Sequence, residues 1–118
     1  VSDPKYKIDM FLGIGGGPEG VLAASALDAY DCYFQGRFIF NNDKDIKDAE
    51  YMGITDLNKK YELSEIIRGD SLFCATGITN SEVLEGIIIE QDKFSSETLV
   101  THKGTNFTKI IKRTSIIN

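Results

Sequence analysis

The stretch Gly13-Ile14-Gly15-Gly16-Gly17-Pro18-Glu19-Gly20 lies between an apolar run, Ile8-Asp9-Met10-Phe11-Leu12, and a helix-forming one, Val21-Leu22-Ala23-Ala24-Ser25-Ala26-Leu27. This order predicts a buried strand over Lys7 to Leu12, a glycine turn, and a helix running to about Tyr30. Pro18 suits the first helical turn, where a missing N–H costs nothing. A glycine turn at a helix N-terminus presents bare N–H groups and a partial positive charge, a combination that holds phosphate. Glu19 is the exception, a carboxylate placed where a phosphate would sit.

The rest of the chain sets ordinary bounds. Its 118 residues, 42% hydrophobic and 26% charged, suit one soluble domain. A net charge of −5 and a pI near 4.8 give no general attraction to nucleic acid or an anionic membrane. Lys109, Lys112 and Arg113 form the one basic cluster, and they read as the solvated edge of a last strand. There is no membrane span or signal-peptide pattern. The chain opens on Val1 rather than Met, as a processed piece or part of something longer would.

Cys32 and Cys74 show no C-x-x-C spacing, so two buried thiols in a reducing compartment, the cytoplasm, are expected. His102 is the single histidine, which excludes a His-based metal cluster or a Ser-His-Asp triad within the chain.

Further along, Cys32 to Phe40 reads as a second strand, with Tyr30, Tyr33, Phe34, Phe38 and Phe40 as core and sheet-packing residues. Asn42 or Asp43 caps a charged helix that stops at Met52-Gly53. A short helix over Ser64 to Arg68 is capped by Ser64 and ended by Gly69, and Ser71 to Ala75 is a third buried strand. Gly86 to Gln91, Thr98 to Lys103 and Phe107 to Arg113 read as strands, with turns at Asp92-Lys93 and at Lys103-Gly104-Thr105-Asn106. The order β-α-β-α-α-β-β-β-β implies an α/β fold, a mixed β-sheet flanked by helices, in a single domain over residues 1–118.

Gly15-x-Gly17-x-x-Gly20 has the dinucleotide-binding spacing, and a dinucleotide-binding module is one reading of it. Glu19 opposes that reading, because a carboxylate packed on a pyrophosphate repels it at short range. A divalent cation between the two removes the conflict, since Mg²⁺ or Mn²⁺ takes carboxylate and phosphate oxygens together. The plainer alternatives are that Glu19 satisfies its own helix N-terminus and that the glycines only make a tight turn. A non-catalytic assembly domain would follow from those.

Four blocks in series then resemble one family. Gly13 to Leu22, Gln35-Gly36-Arg37, Ile67-Arg68-Gly69-Asp70, and Ala75-Thr76-Gly77-Ile78-Thr79 with Leu84-Glu85-Gly86 are similar to the C-terminal region of class II fructose-1,6-bisphosphatase. The resemblance implies the C-terminal domain of the metal-dependent sugar phosphatase fold, of the fructose-bisphosphatase and inositol-phosphatase type. It implies hydrolysis of the 1-phosphate of fructose 1,6-bisphosphate to fructose 6-phosphate in gluconeogenesis, with Mn²⁺ or Mg²⁺, and in some members action on sedoheptulose 1,7-bisphosphate.

By the same resemblance Glu19 is a metal ligand and Gly16 a backbone contact to substrate, with Gly15 and Gly17 beside it and Gly20 completing the turn. The catalytic residues and most metal-binding acids are expected in an N-terminal domain of the same enzyme, which acts as a homo-oligomer. Asp3-Pro4-Lys5-Tyr6-Lys7 departs from that domain's Asp-Pro-x-Glu-Gly-Thr pattern. The chain alone is therefore expected to be inactive. Arg37 is left between a phosphate contact and a structural ion pair. The Thr76 to Thr79 segment is left between a site loop and a turn.

Overall fold

The computed structural model describes Ser2 and residues 4–117. After a short 3₁₀ turn at Pro4–Tyr6, the chain has no regular structure until α1, Gly17–Ala29. It continues through β1 (Gln35–Gly36), α2 (Asp43–Tyr51), β2 (Tyr61–Glu62), α3 (Leu63–Ile66), β3 (Leu72–Thr76), β4 (Ile88–Glu90), β5 (Lys93–His102) and β6 (Phe107–Ile116). The result is α/β, with helices packed on a sheet. The described strand pairs are all antiparallel.

β5 is the spine of the sheet. One of its edges pairs with β3 over Thr98–His102 and with β4 over Lys93–Ser95, and the other carries the whole of β6. The β5–β6 hairpin closes through a 3₁₀ turn at Lys103–Thr105, and Asn106 takes the left-handed conformation (φ 49°) that asparagine tolerates. The β4–β5 turn falls on Gln91-Asp92, one residue earlier than expected, because Glu90 already pairs with Lys93.

Local signals account for the helix ends. Asn42 caps α2, its Oδ1 accepting from the Asp45 N–H at 2.9 Å, and Gly53 ends the turn at φ +85°. For α3 the cap is Glu62 rather than Ser64. Glu62 and Glu65 form a reciprocal capping box, so a carboxylate pair replaces the expected hydroxyl. The helix expected to reach Arg68 ends at Ile66, with Ile67 extended as its C-cap, and Gly69, at φ +81°, turns the chain only after it.

Alternation along β3 identifies the covered face of the sheet. Phe73 and Ala75 are half-buried while Leu72, Cys74 and Thr76 are exposed. α1 packs on β3 and β5, and Thr101 of β5, paired with Phe73, is 1% exposed. The alanines of α1 permit that approach, with Ala24 fully buried. On the opposite face Leu72, Cys74 and Thr76 of β3 are exposed.

Three expectations require correction. Lys7 to Leu12 is not a strand: it makes no sheet pairing, and Met10, Phe11 and Leu12 are 71–81% exposed. Apolar composition signals a need for burial, and no described element of this chain buries that run. The strand expected over Cys32 to Phe40 contracts to Gln35–Gly36 paired with Tyr61–Glu62. Its aromatics are not core: Tyr33 is fully exposed, Tyr30 and Phe38 are also exposed, and Phe38 instead meets the Tyr61 ring edge-on at 5.7 Å. The thiols also differ from expectation, Cys32 being half-buried and Cys74 exposed on the open sheet face, both free. A strand residue facing away from α1 is simply uncovered.

The radius of gyration, 18.0 Å, exceeds the roughly 13.5 Å typical of a folded chain of this length. Among the described residues the apolar core is small, with Ala24, Ala49 and Leu84 its buried members.

Candidate functional site: the glycine turn and its carboxylate

α1 begins where the glycine run ends. Gly16 is the N-cap (φ −69°, ψ 160°), Pro18 lies in the first turn, and Glu19 is the acidic residue there. The Gly20 N–H donates to the Gly16 carbonyl at 3.0 Å, closing the first helical ring. The Glu19 side chain turns back toward Gly16, so that a Cβ at residue 16 would overlap Glu19 Oε2. Gly15, Gly17 and Gly20 face open space and do not take positive φ.

Glu19 is exposed, and no hydrogen bond or ion pair joins its carboxylate to another described residue. The N-cap has no side-chain hydrogen bond either. The helix dipole favours this charge, but its oxygens are otherwise free to serve a ligand. Among the described residues no group of three or more His, Cys, Asp or Glu side chains is placed to hold a metal ion. Glu19 therefore fits as one ligand, while the described residues do not supply a complete metal site.

The far end of α1 is fixed. Lys103 Nζ lies 3.0 Å from Asp28 Oδ1 and 3.4 Å from Asp31 Oδ1, and the Asp28 hydrogen bond, helped by Asp31, holds the ammonium above its ordinary pKa. Glu19 stands about 13.5 Å along the helix from Asp28.

The Thr76–Gly86 loop is a second built feature. Gly77 is buried and donates its N–H to the Glu97 carbonyl at 3.0 Å. A Cβ there would overlap the Glu85 carbonyl, and one at Gly86 would lie 2.7–2.9 Å from the backbone of Ile78, Thr79 and Asn80. Ser81 and Asn80 knot the tip, with Gly86 N–H donating to Asn80 Oδ1 at 2.8 Å. Thr76 Oγ1 meets Thr98 Oγ1 at 2.9 Å across the sheet. Thr79 is exposed.

One lock was invisible in sequence. Lys112 Nζ reaches Glu85 Oε2 at 2.5 Å and Glu97 Oε1 at 3.7 Å, and the Glu85 N–H donates to Glu97 Oε2 at 2.9 Å. The Glu97–Lys112 cross-strand pair follows from the hairpin register, whereas Glu85 joins only through the fold. The Lys112 hydrogen bond, then its charge, lowers the Glu85 pKa.

Other singled-out residues are dispersed. Arg37 and Arg68 are exposed. Asp70 Oδ1 lies 2.8 Å from His102 Nε2, while His102 Nδ1 meets Thr105 Oγ1 at 2.7 Å. The single histidine is thus held at both ring nitrogens, because the Leu72–His102 pairing brings Asp70 alongside. Among the described residues no strand leads into the glycine turn, so the dinucleotide fingerprint does not have its strand–turn–helix setting there.

The comparisons with known proteins agree with one another. Residues 1–115 match the family model described as bacterial fructose-1,6-bisphosphatase, glpX-encoded. A D-fructose 1,6-bisphosphatase class 2/sedoheptulose 1,7-bisphosphatase of Prochlorococcus marinus (strain AS9601) is 33% identical across 75% of this chain and 31% of its own length. A fructose-1,6-bisphosphatase class 2 of Haemophilus influenzae is 34% identical across 91% of this chain and 36% of its own. The chain thus spans about a third of the length of these relatives. With nearly its whole length matched, this chain belongs to the glpX-encoded bacterial fructose-1,6-bisphosphatase family.

Proposed function

We propose that the chain forms the C-terminal part of a metal-dependent class II fructose-1,6-bisphosphatase and contributes one wall of its active site. The family match over residues 1–115 carries this reading, and the unpartnered Glu19 carboxylate folded against Gly16 supports its placement. The reaction adds water to the 1-phosphate of fructose 1,6-bisphosphate, releasing phosphate and fructose 6-phosphate. The Prochlorococcus relative's name extends the substrate class to sedoheptulose 1,7-bisphosphate.

In this reading Glu19 is a ligand to Mn²⁺ or Mg²⁺, and Gly16, with Gly15 and Gly17, brings bare backbone to the substrate. When bound, such an ion would supply charge neutralisation at the phosphate and activation of water. Glu19 contributes a carboxylate in the first turn of a helix, where the dipole favours an acidic side chain. The missing side chain at Gly16 leaves that carboxylate its place. The remaining acids and the catalytic residues are assigned to an N-terminal domain of the same enzyme, working in gluconeogenesis in the cytoplasm, as a homo-oligomer. No described helix is long and apolar enough to cross a membrane.

Phosphate release from fructose 1,6-bisphosphate with Mn²⁺ tests the division of labour. The 118-residue chain alone is expected to show little or no turnover, and the full-length enzyme to be active. Turnover by the chain comparable with that of the full-length enzyme would contradict the reading.

A further inference from the structure

The two outer strands on either side of β5 are built differently. β6 pairs with β5 alone, and Lys109, Lys112 and Arg113 stand exposed along it. Cations on an outer strand discourage the addition of another strand, so this edge suits the end of a sheet. β3 lies on the other side of β5. Its residues, Leu72-Phe73-Cys74-Ala75-Thr76, hold neither charge nor proline, and among the described residues β5 is its one strand partner. An uncharged, nearly continuous apolar strand has the composition of a sheet interior, and an edge of that kind without a guard is a template for pairing.

The hydrogen-bond register shows which groups the bare edge presents. The Gly77 N–H donates to the Glu97 carbonyl at 3.0 Å. Counting back in steps of two, Ala75 with Leu99 and Phe73 with Thr101 are the hydrogen-bonded pairs of the ladder. Thr76 with Thr98, Cys74 with Val100 and Leu72 with His102 are then the non-hydrogen-bonded pairs, whose side chains approach more closely. The 2.9 Å contact between the Thr76 and Thr98 hydroxyls fits that assignment. Leu72, Cys74 and Thr76 therefore turn their N–H and C=O groups away from β5, along about 13 Å of strand. Among the described residues no backbone group pairs with them across that edge, and β1 and β2 form a sheet of their own. Leu72 is 61% exposed beside it.

We infer that the free edge of β3 takes an extended, apolar strand from the part of the enzyme outside this chain, so that the two parts share one continuous sheet. The joint rests on the reading of the chain as part of a longer enzyme, and it goes further by placing the contact. The chain spans about a third of the length of its relatives, which leaves ample sequence to supply the strand. Main-chain hydrogen bonds hold such an addition and side chains at alternate positions select it. α1 packs on β3 and carries Glu19 in its first turn. A strand seated on β3 thus fixes the incoming part to the same layer that supports Glu19.

Residue-resolved amide exchange of the 118-residue chain and of the full-length enzyme tests the joint. In the chain, the amides of Phe73, Ala75 and Gly77 should exchange slowly and those of Leu72, Cys74 and Thr76 fast. In the full-length enzyme the latter three should slow by about 100-fold or more, and the alternation should vanish. Cys74→Pro removes only an outward N–H. It should leave the circular dichroism of the chain unchanged and lower the melting temperature of the full-length enzyme. Alternation that persists in an active full-length enzyme overturns the joint and leaves the phosphatase reading standing. Protection that appears in the chain alone as its concentration rises also overturns it, because the occupant is then a second copy. A full-length protein without Mn²⁺-dependent phosphate release overturns the phosphatase reading, and the joint with it.

Discussion

The Glu19 carboxylate occupies the space that a side chain on Gly16 would fill. Gly16→Ala therefore displaces the end of a flexible, exposed side chain without forcing the backbone. The stability cost is expected to stay below about 1 kcal/mol, in the range of N-cap substitutions. Catalysis in the full-length enzyme should suffer more, through a raised Mn²⁺ requirement. Thermal unfolding and metal titration of the same variant separate the two effects.

Gly77 and Gly86 behave differently, because their missing side chains admit backbone. Gly77→Ala would press on the Glu85 carbonyl and Gly86→Ala on Ile78, Thr79 and Asn80. Each should destabilise by about 1–3 kcal/mol, as overpacking does. Gly20, inside α1 with nothing near its Cβ position, is the contrast: Gly20→Ala should stabilise by about 0.4–1 kcal/mol. Denaturant midpoints of the three variants are the check.

Asn42 holds the start of α2 by accepting from the Asp45 N–H, and its Nδ2 donates to Asp45 Oδ2 at 3.1 Å. Asn42→Ala should cost about 1 kcal/mol, and Asn42→Asp should also destabilise, because it keeps the cap acceptor but sets a second carboxylate against Asp45. Urea unfolding followed by circular dichroism measures both.

The Lys112–Glu85–Glu97 lock should have a pH window. The Glu85 pKa is lowered from 4.5, so its contribution is complete above that value and disappears as pH falls through the lowered one. The Lys112 pKa is raised from 10.5, first by the Glu85 hydrogen bond, so its share is complete below that value and is lost as pH rises through the raised one. Amide exchange of residues 77–86 in the chain and in Lys112→Met should differ at neutral pH and converge in acid. Because both groups are exposed, high salt should narrow the difference.

Where the physics is local, the fold was legible in sequence. Pro18, Asn42 and Gly53 mark helix ends that the structure keeps, and Asn106 marks the hairpin turn between β5 and β6. Lys109, Lys112 and Arg113 do lie on an exposed edge strand. Legibility fails where burial depends on a partner surface. Ile8 to Leu12 has a buried strand's composition but is covered by none of the described elements, and of the aromatics from Cys32 to Phe40, Tyr33 and Phe38 are exposed while Phe34 and Phe40 are half-buried. The Glu85 lock and the Asp70–His102 contact join residues 27 and 32 positions apart, beyond any periodicity. Glu19 stands out in the sequence because a carboxylate conflicts with a turn of phosphate-binding composition, and that conflict is local; its role as a metal ligand is part of the proposal.

The most direct measurement is Glu19→Gln in the full-length enzyme, with phosphate release followed across a Mn²⁺ titration. The substitution keeps the size of the side chain and removes its charge. Losing one metal ligand should raise the half-saturating Mn²⁺ concentration by at least about tenfold and lower the rate, with thermal stability nearly unchanged. An unchanged Mn²⁺ dependence and rate would contradict Glu19 as a wall of the active site.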